Sequence, residues 1–163
     1  MKKQDLLKDK RILLVDDEPD ILDTLVDLLT MCHTETASTF EEAREKLIAG
    51  NIDMAILDIM GVDGYKLLDL ATERNITAVM LTAHALSPAD TIKSHKKGAA
   101  YYLPKEEMVN LEQHLIDVLE AQAKGKSAWD RWFDRFASFY ERKFGPDWQE
   151  HDKDYWDKFN NHY

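Results

Sequence analysis

Three short runs in this chain are apolar at every position. They are "ILLV" at 12–15, "MAIL" at 54–57 and "AVML" at 78–81. A strand with one wet face alternates apolar and polar residues; a strand covered on both faces does not. Between and after these runs come segments with helical spacing. "PDILDTLVDLLTM" carries Ile21, Leu22, Leu25, Leu28 and Leu29, with Pro19 placed for a first turn. "TFEEAREKLIAG" has Thr39 as N-cap, Glu42 three residues on and Gly50 as its stop. "GYKLLDLATER" and the polar "SPADTIKSHKKG" read as helices, as does "EEMVNLEQHLIDVLEAQAK" as one long one. "TETAS" and "AAYYL" complete the strands. Strand and helix alternate five times, which predicts an α/β fold with a doubly wound, five-stranded parallel sheet over residues 10–123, after an N-terminal tail of residues 1–9.

In such a sheet, ligands gather at the carboxyl ends of the strands. Those ends here carry Asp16 and Asp17, then Asp58, then Thr82, with Lys105 just past the last strand. Carboxylates on neighbouring strand ends repel one another unless a cation sits between them. A hard dication with oxygen ligands fits, and Mg²⁺ is the usual one where phosphate is handled. Thr82 offers a hydroxyl donor and Lys105 a mobile point charge for a phosphoryl oxygen. Together they describe a phosphoryl-transfer site in which one carboxylate attacks. Gly61 and Gly64 let the backbone turn beside Asp58.

The ordered set "ILLVDDEPDILDTLVDLL", "MAILDIM…DG", "VMLTAHA" and "GAAYYLPK" resembles the CheY-like receiver domain of two-component response regulators, a flavodoxin-like fold, over residues 10 to 123. The resemblance implies that Asp58 is the phosphoacceptor, supplied by a sensor histidine kinase or a histidine phosphotransfer protein. It implies Mg²⁺ held by Asp16, Asp17, Asp58 and the backbone carbonyl of Met60. It gives Thr82 and Lys105 to the phosphoryl oxygens and makes Thr82 and Tyr102 a switch pair. His84 falls where the family tunes phosphoryl lifetime. The chain departs from the pattern in two places: the loop after Asp58 is short and lacks a proline, and Pro104 precedes Lys105 where the family has a proline after it. On this reading the protein is not an enzyme beyond self-catalysed transfer to, and hydrolysis from, Asp58. It is a protein-interaction switch in a phosphorelay. Two rivals stand beside it: a DNA-binding transcription regulator working through its C-terminal helices, and a phosphorylation-independent pseudo-receiver scaffold.

Past Gly125 the character of the chain changes. Twelve of the sixteen aromatic residues, and all four tryptophans, lie in the last 38 residues. The first 123 residues hold 13 basic and 23 acidic side chains, and the remainder holds eight of each. Trp129, Trp132, Phe133, Phe136, then Phe139 or Tyr140, and Lys143 or Phe144, fall near one helical stripe, with Asp130, Arg131, Asp134 and Arg135 largely opposite. "FGP" ends that helix, and Trp148, His151, Tyr155, Trp156 and Phe159 suggest a second, so residues 124–163 read as an aromatic helical hairpin. A neutral segment without a basic face argues against nucleic acid. The hairpin is expected to cover the face built by the last two receiver helices and the strand between them, near His95, Tyr101, Met108, Leu111 and Leu115, in the same chain or in a homodimer. The single cysteine, Cys32, is expected as a core thiol on the apolar side of a helix. With no signal peptide and no apolar stretch of membrane length, the chain reads as cytoplasmic, with no membrane insertion.

Overall fold

The computed structural model describes residues 3–83, 87–149 and 154–157. Five strands alternate with helices: β1 Arg11–Val15, α1 Pro19–Leu28, β2 His33–Ala37, α2 Phe40–Ala49, β3 Met54–Asp58, α3 Gly64–Glu73, β4 Thr77–Thr82, α4 Pro88–Lys96, β5 Tyr101–Pro104, α5 Leu111–Ala123 and α6 Trp129–Phe144. All pairings are parallel, in the order β2-β1-β3-β4-β5. Every residue of β3 and β5 is buried, so both faces of the sheet are covered, as the unbroken apolar runs require.

Helix starts follow their caps. The Thr39 hydroxyl accepts from the Glu42 N–H at 3.2 Å, and the Glu42 carboxylate accepts from the Ser38 N–H. Ser87 accepts from the Asp90 N–H in the same way, with Pro88 opening the helix. The long helix expected from Glu106 is divided. Lys105–Asn110 wind as a 3₁₀ turn and the α-helix begins only at Leu111. The Asn110 amide donates to the Glu107 carboxylate at 2.9 Å, a local bond that competes with helix propagation.

Two further expectations change. Cys32 lies in the turn between α1 and β2, not on a helix; its thiol donates to the Leu7 carbonyl at 3.3 Å, and burial pushes its pKa up to about 11. The described part of the N-terminal segment is folded: residues 3–6 form a 3₁₀ turn against α5, and Leu7 is fully buried.

The aromatic segment packs on its own chain. α6 lies against β5, and its stripe of Trp129, Trp132, Phe136 and Tyr140 is buried. The Trp129 indole donates to the Ala99 carbonyl and the Trp132 indole to the Tyr102 carbonyl, each at 2.8 Å. Phe136 stacks on His114 of α5, the Tyr140 hydroxyl bonds Thr91 of α4, and Tyr155 bonds His95. The covered face is the one the sequence pointed to, and the cover is intramolecular. Arg131 and Arg135, assigned to the opposite side, in fact turn to α5: Arg135 Nε meets Asp117 at 2.7 Å and Arg131 meets Glu120 at 2.9 Å. An amphipathic helix docked between a sheet edge and a neighbouring helix has charged residues at its boundary, not only on its solvent side. After α6 the described residues form a turn at 146–149 and one helical turn at 154–157, with Trp148 and Trp156 buried. His151 and Phe159 lie outside the described residues, as does His84. Among the described residues no helix is long and apolar enough to cross a membrane.

Candidate functional site

The parallel register builds the site. Val15 pairs with Leu57, Asp58 with Leu81 and Thr82 with Pro104. Asp16, Asp58, Thr82 and Lys105 are therefore delivered to one edge of the sheet at nearly one level. All four are held firmly: Asp16 is wholly buried, Asp58 is 3% exposed, Thr82 is 5% exposed and the Lys105 side chain is 9% exposed. Lys105 lies between the acids. Its ammonium is 2.7 Å from Asp16 Oδ2, 3.5 Å from Asp58 Oδ1 and 3.7 Å from Glu18 Oε1.

Two buried carboxylates a single lysine apart are difficult to ionise together. Burial raises the Asp58 carboxyl, the Asp16 charge raises it further, and Lys105 only partly offsets them, leaving it at about 7. Asp16 is also raised, again chiefly by burial. Lys105 is held above its ordinary value by Asp16 and Asp58 despite its own burial. The site is thus short of positive charge, although a lysine already stands in it.

The glycines serve different ends. Gly61 adopts φ +86, and a Cβ there would lie 2.4 Å from Asp17 Oδ2, so its missing side chain makes the bed for that carboxylate. Gly64 is helical; a Cβ there would lie 2.1 Å from the Asp58 carbonyl oxygen, so α3 can start this close beneath the acceptor only with glycine. Gly64→Ala should therefore destabilise the fold by roughly 2 kcal/mol or more, although alanine favours a helix by about 1 kcal/mol. Urea unfolding checks this, and a stability equal to wild type would show that the start of α3 can move away.

The open side of the site is a small cleft lined by Asp17, Glu18, Asp58, Met60, Gly61, Ala83 and Lys105. Asp17 and Glu18 are exposed, and Met60 is 63% exposed. Asp16, Asp17 and Glu18 each place a carboxylate oxygen within 4.8 Å of the others. Three hard oxygen donors beside a carboxyl that ionises with difficulty suit a divalent cation. The family resemblance gives this role to Asp16, Asp17, Asp58 and the carbonyl of Met60. The structure brings Asp17, Asp58 and Met60 to the cleft, keeps Asp16 wholly buried behind it, and draws Glu18 into the tight acidic trio with Asp16 and Asp17, with Asp58 across Lys105 from it. Glu18 precedes Pro19, and that adjacency to the helix start was the only sign in the sequence that its side chain would turn toward the site. Tyr102, two residues before Pro104, is fully buried within the sheet layer, and its partner across the ladder is Met80.

Residues 12–120 match the family model for the response regulator receiver domain. Over 117 residues the chain is 36% identical to the two-component response regulator ARR10 of Arabidopsis thaliana, covering 65% of this chain and 21% of that protein. Over 127 residues it is 32% identical to ORR24 of Oryza sativa subsp. japonica, covering 71% and 20%. The chain thus spans about a fifth of the length of these curated relatives. A CheY-like receiver domain protein from Methanospirillum hungatei superposes with a TM-score of 0.59 at 26% identity, over 71% of this chain and 99% of that one. A response regulator from Burkholderia pseudomallei, whose structure carries a phosphorylated aspartic acid and a calcium ion, gives 0.57 at 24% identity over 72% and 73%. An acidic edge charged by one lysine, on a β2-β1-β3-β4-β5 sheet matched over residues 12–120, places this chain in the response regulator receiver domain family.

Proposed function

We propose that Asp58 accepts a phosphoryl group from a sensor histidine kinase or a histidine phosphotransfer protein, and that the phosphorylated domain acts in the cytoplasm as a protein-interaction switch. The observation that carries this is the placing of Lys105 between Asp58 and Asp16 at the mouth of a small acidic cleft. Asp58 is anchored at the end of a fully buried strand, so its carboxylate is presented to the donor at one fixed position. Attack by its oxygen on phosphorus forms the aspartyl phosphate as the bond to the donor's leaving group breaks, and the leaving group departs with that electron pair. Lys105 swings from Asp16 to a phosphoryl oxygen, and Thr82 donates its hydroxyl to another. Asp16, Asp17 and Glu18, with Asp58 beside them, would hold Mg²⁺, which supplies charge neutralisation in this chemistry. The domain itself turns over no other substrate; its activity is confined to gaining and losing this one group.

Incubation with acetyl phosphate and Mg²⁺, followed by mass spectrometry, tests the reading: one phosphoryl group is expected. The metal has a separate check. Because a dication relieves the crowding of Asp16, Asp17, Glu18 and Asp58, millimolar Mg²⁺ should raise the melting temperature by a few degrees, a shift of roughly 1 kcal/mol or more. Asp17→Ala should remove most of that response while leaving the fold intact, since Asp17 is exposed. A wild-type melting curve indifferent to Mg²⁺ would favour a pseudo-receiver scaffold.

A further inference from the structure

A second cleft, of about 430 Å³, opens where the 3₁₀ turn at 105–110 and the first turn of α5 meet α6, and it shares no residue with the acidic one. His114 lines it and is only 4% exposed. The Nε2 atom of His114 is buried without a hydrogen-bond partner, with Glu107 Oε2 at 3.6 Å, too far for a hydrogen bond. A buried polar atom left in this way is costly unless something bonds it. Asn110 follows Glu107 by three, the repeat of a 3₁₀ turn, and His114 follows Asn110 by four, so the three residues share one side. Both donors have an outer partner. His114 Nδ1 bonds the hydroxyl of wholly buried Tyr101 at 2.8 Å, and Phe136 stacks on the ring, so the imidazole is fixed in place. The Asn110 amide donates to Glu107 Oε2 at 2.9 Å and leaves that oxygen a second lone pair. Burial holds the His114 imidazole below its ordinary pKa, so it is neutral near pH 7, as a metal ligand must be. Arg135 also lines the cleft, but its Nε is committed to Asp117 at 2.7 Å, and that carboxylate offsets its charge.

We propose that His114 Nε2 and the Glu107 carboxylate form a site for a transition-metal dication of the zinc class, with water from the cleft completing its shell. Two ligand atoms each about 2.1 Å from a tetrahedral zinc ion lie roughly 3.4 Å apart, close to the 3.6 Å between Nε2 and Oε2. With Nδ1 donating to Tyr101, Nε2 turns its lone pair toward the ion; histidines and carboxylates that bind metals are held by outer partners of this kind. An imidazole nitrogen beside one carboxylate suits zinc, whereas magnesium takes oxygen donors. The two clefts therefore sort two kinds of dication. The ligands stand on either side of Leu111, so the ion ties the 3₁₀ turn to α5. Nothing in the site depends on phosphoryl transfer to Asp58.

The test uses the full chain and Zn²⁺ as the probe, with millimolar Mg²⁺ present throughout to occupy the acidic cleft. Nitrogen-15 NMR of the His114 ring is the direct readout. Zn²⁺ should move the Nε2 resonance while Nδ1 keeps its proton, and the titration of that one signal gives the affinity of this site alone. Glu107→Gln should weaken the affinity by about tenfold or more. Asn110→Ala, which keeps both ligands, should weaken it by a similar factor, since outer partners are typically worth about 10–100-fold in metal affinity. Glu107 is half-buried and Asn110 exposed, so both variants should fold, and a melting curve without zinc checks that. A His114 ring indifferent to Zn²⁺ overturns the site, as does a folded Glu107→Gln that binds zinc as tightly as wild type. A response of the ring that Mg²⁺ abolishes would assign the ion to the acidic cleft and overturn it as well.

Discussion

Asp58→Asn takes up no phosphoryl group from acetyl phosphate and Mg²⁺, where the wild type takes up one; the expected loss is complete. Asp58 is the acid that combines a fixed position at the end of β3, a place in the cleft and an oxygen 3.5 Å from the Lys105 ammonium. Asp16 is wholly buried and bonded to Lys105 at 2.7 Å, and its Oδ1 accepts from the Glu18 N–H at 2.9 Å, so its oxygens are engaged. Asp17 is exposed, and among the described residues the Lys105 ammonium pairs with Asp16, Glu18 and Asp58 and not with Asp17. An amide oxygen is a far weaker nucleophile than a carboxylate, and the substitution changes shape very little. It also removes one of two like charges from a buried site, so the variant should melt no lower than wild type without Mg²⁺. That makes lost uptake a statement about chemistry and not about folding. Mass spectrometry with a melting curve decides it. Uptake that persists in Asp58→Asn would move the acceptor elsewhere.

Trp132→Ala should cost roughly 3–5 kcal/mol of stability, the range for deleting a large aromatic from a core. Trp132 is fully buried, with Trp129 at 5.1 Å, Phe136 at 5.7 Å and Tyr140 at 5.6 Å between ring centroids. Its removal opens a cavity at the centre of that cluster and takes a donor from the Tyr102 carbonyl. In a chain of this length the melting temperature should fall by about 10 °C, at a few degrees for each kcal/mol. Trp132→Phe should fall in between, by roughly 1–2 kcal/mol, because most of the apolar area remains and one hydrogen bond is lost. Tryptophan occurs only at 129, 132, 148 and 156, so the emission of the variants still reports the segment around α6. A loss under about 1 kcal/mol for the alanine variant would mean that α6 is not part of the cooperative fold.

The elements of the receiver were legible because their signals are local. An apolar run of four, a threonine three residues before a glutamate, and a glycine after the last turn each act within a few residues. The parallel sheet followed from those runs, and the parallel sheet in turn directs Asp16, Asp58, Thr82 and Lys105 to one edge. The 3₁₀ turn ahead of Leu111 was not legible, because helical periodicity continues unbroken through Glu106–Asn110, and the local bond from Asn110 to Glu107 that accompanies the turn is seen only in the structure.

What the sequence by itself determined is the alternation, the strand-end acids and an aromatic stripe too dense to stay in water. What only the tertiary structure decided is where charges and the stripe end up. Lys105 lies between Asp16 and Asp58, 89 and 47 residues away along the chain. Glu18 joins the acidic trio because α1 starts beside the cleft. Arg131 and Arg135 turn inward because Asp117 is buried on the face where α6 lands. The sheet has two edge strands, β2 and β5, and the stripe lands on β5. β5 has a neighbour on one side only, and its free carbonyl at Tyr102 meets the indole of Trp132 30 residues later. Spacing along a chain sets which side chains share a face; it does not set which distant face will be opposite, because that depends on the packing of all the elements at once.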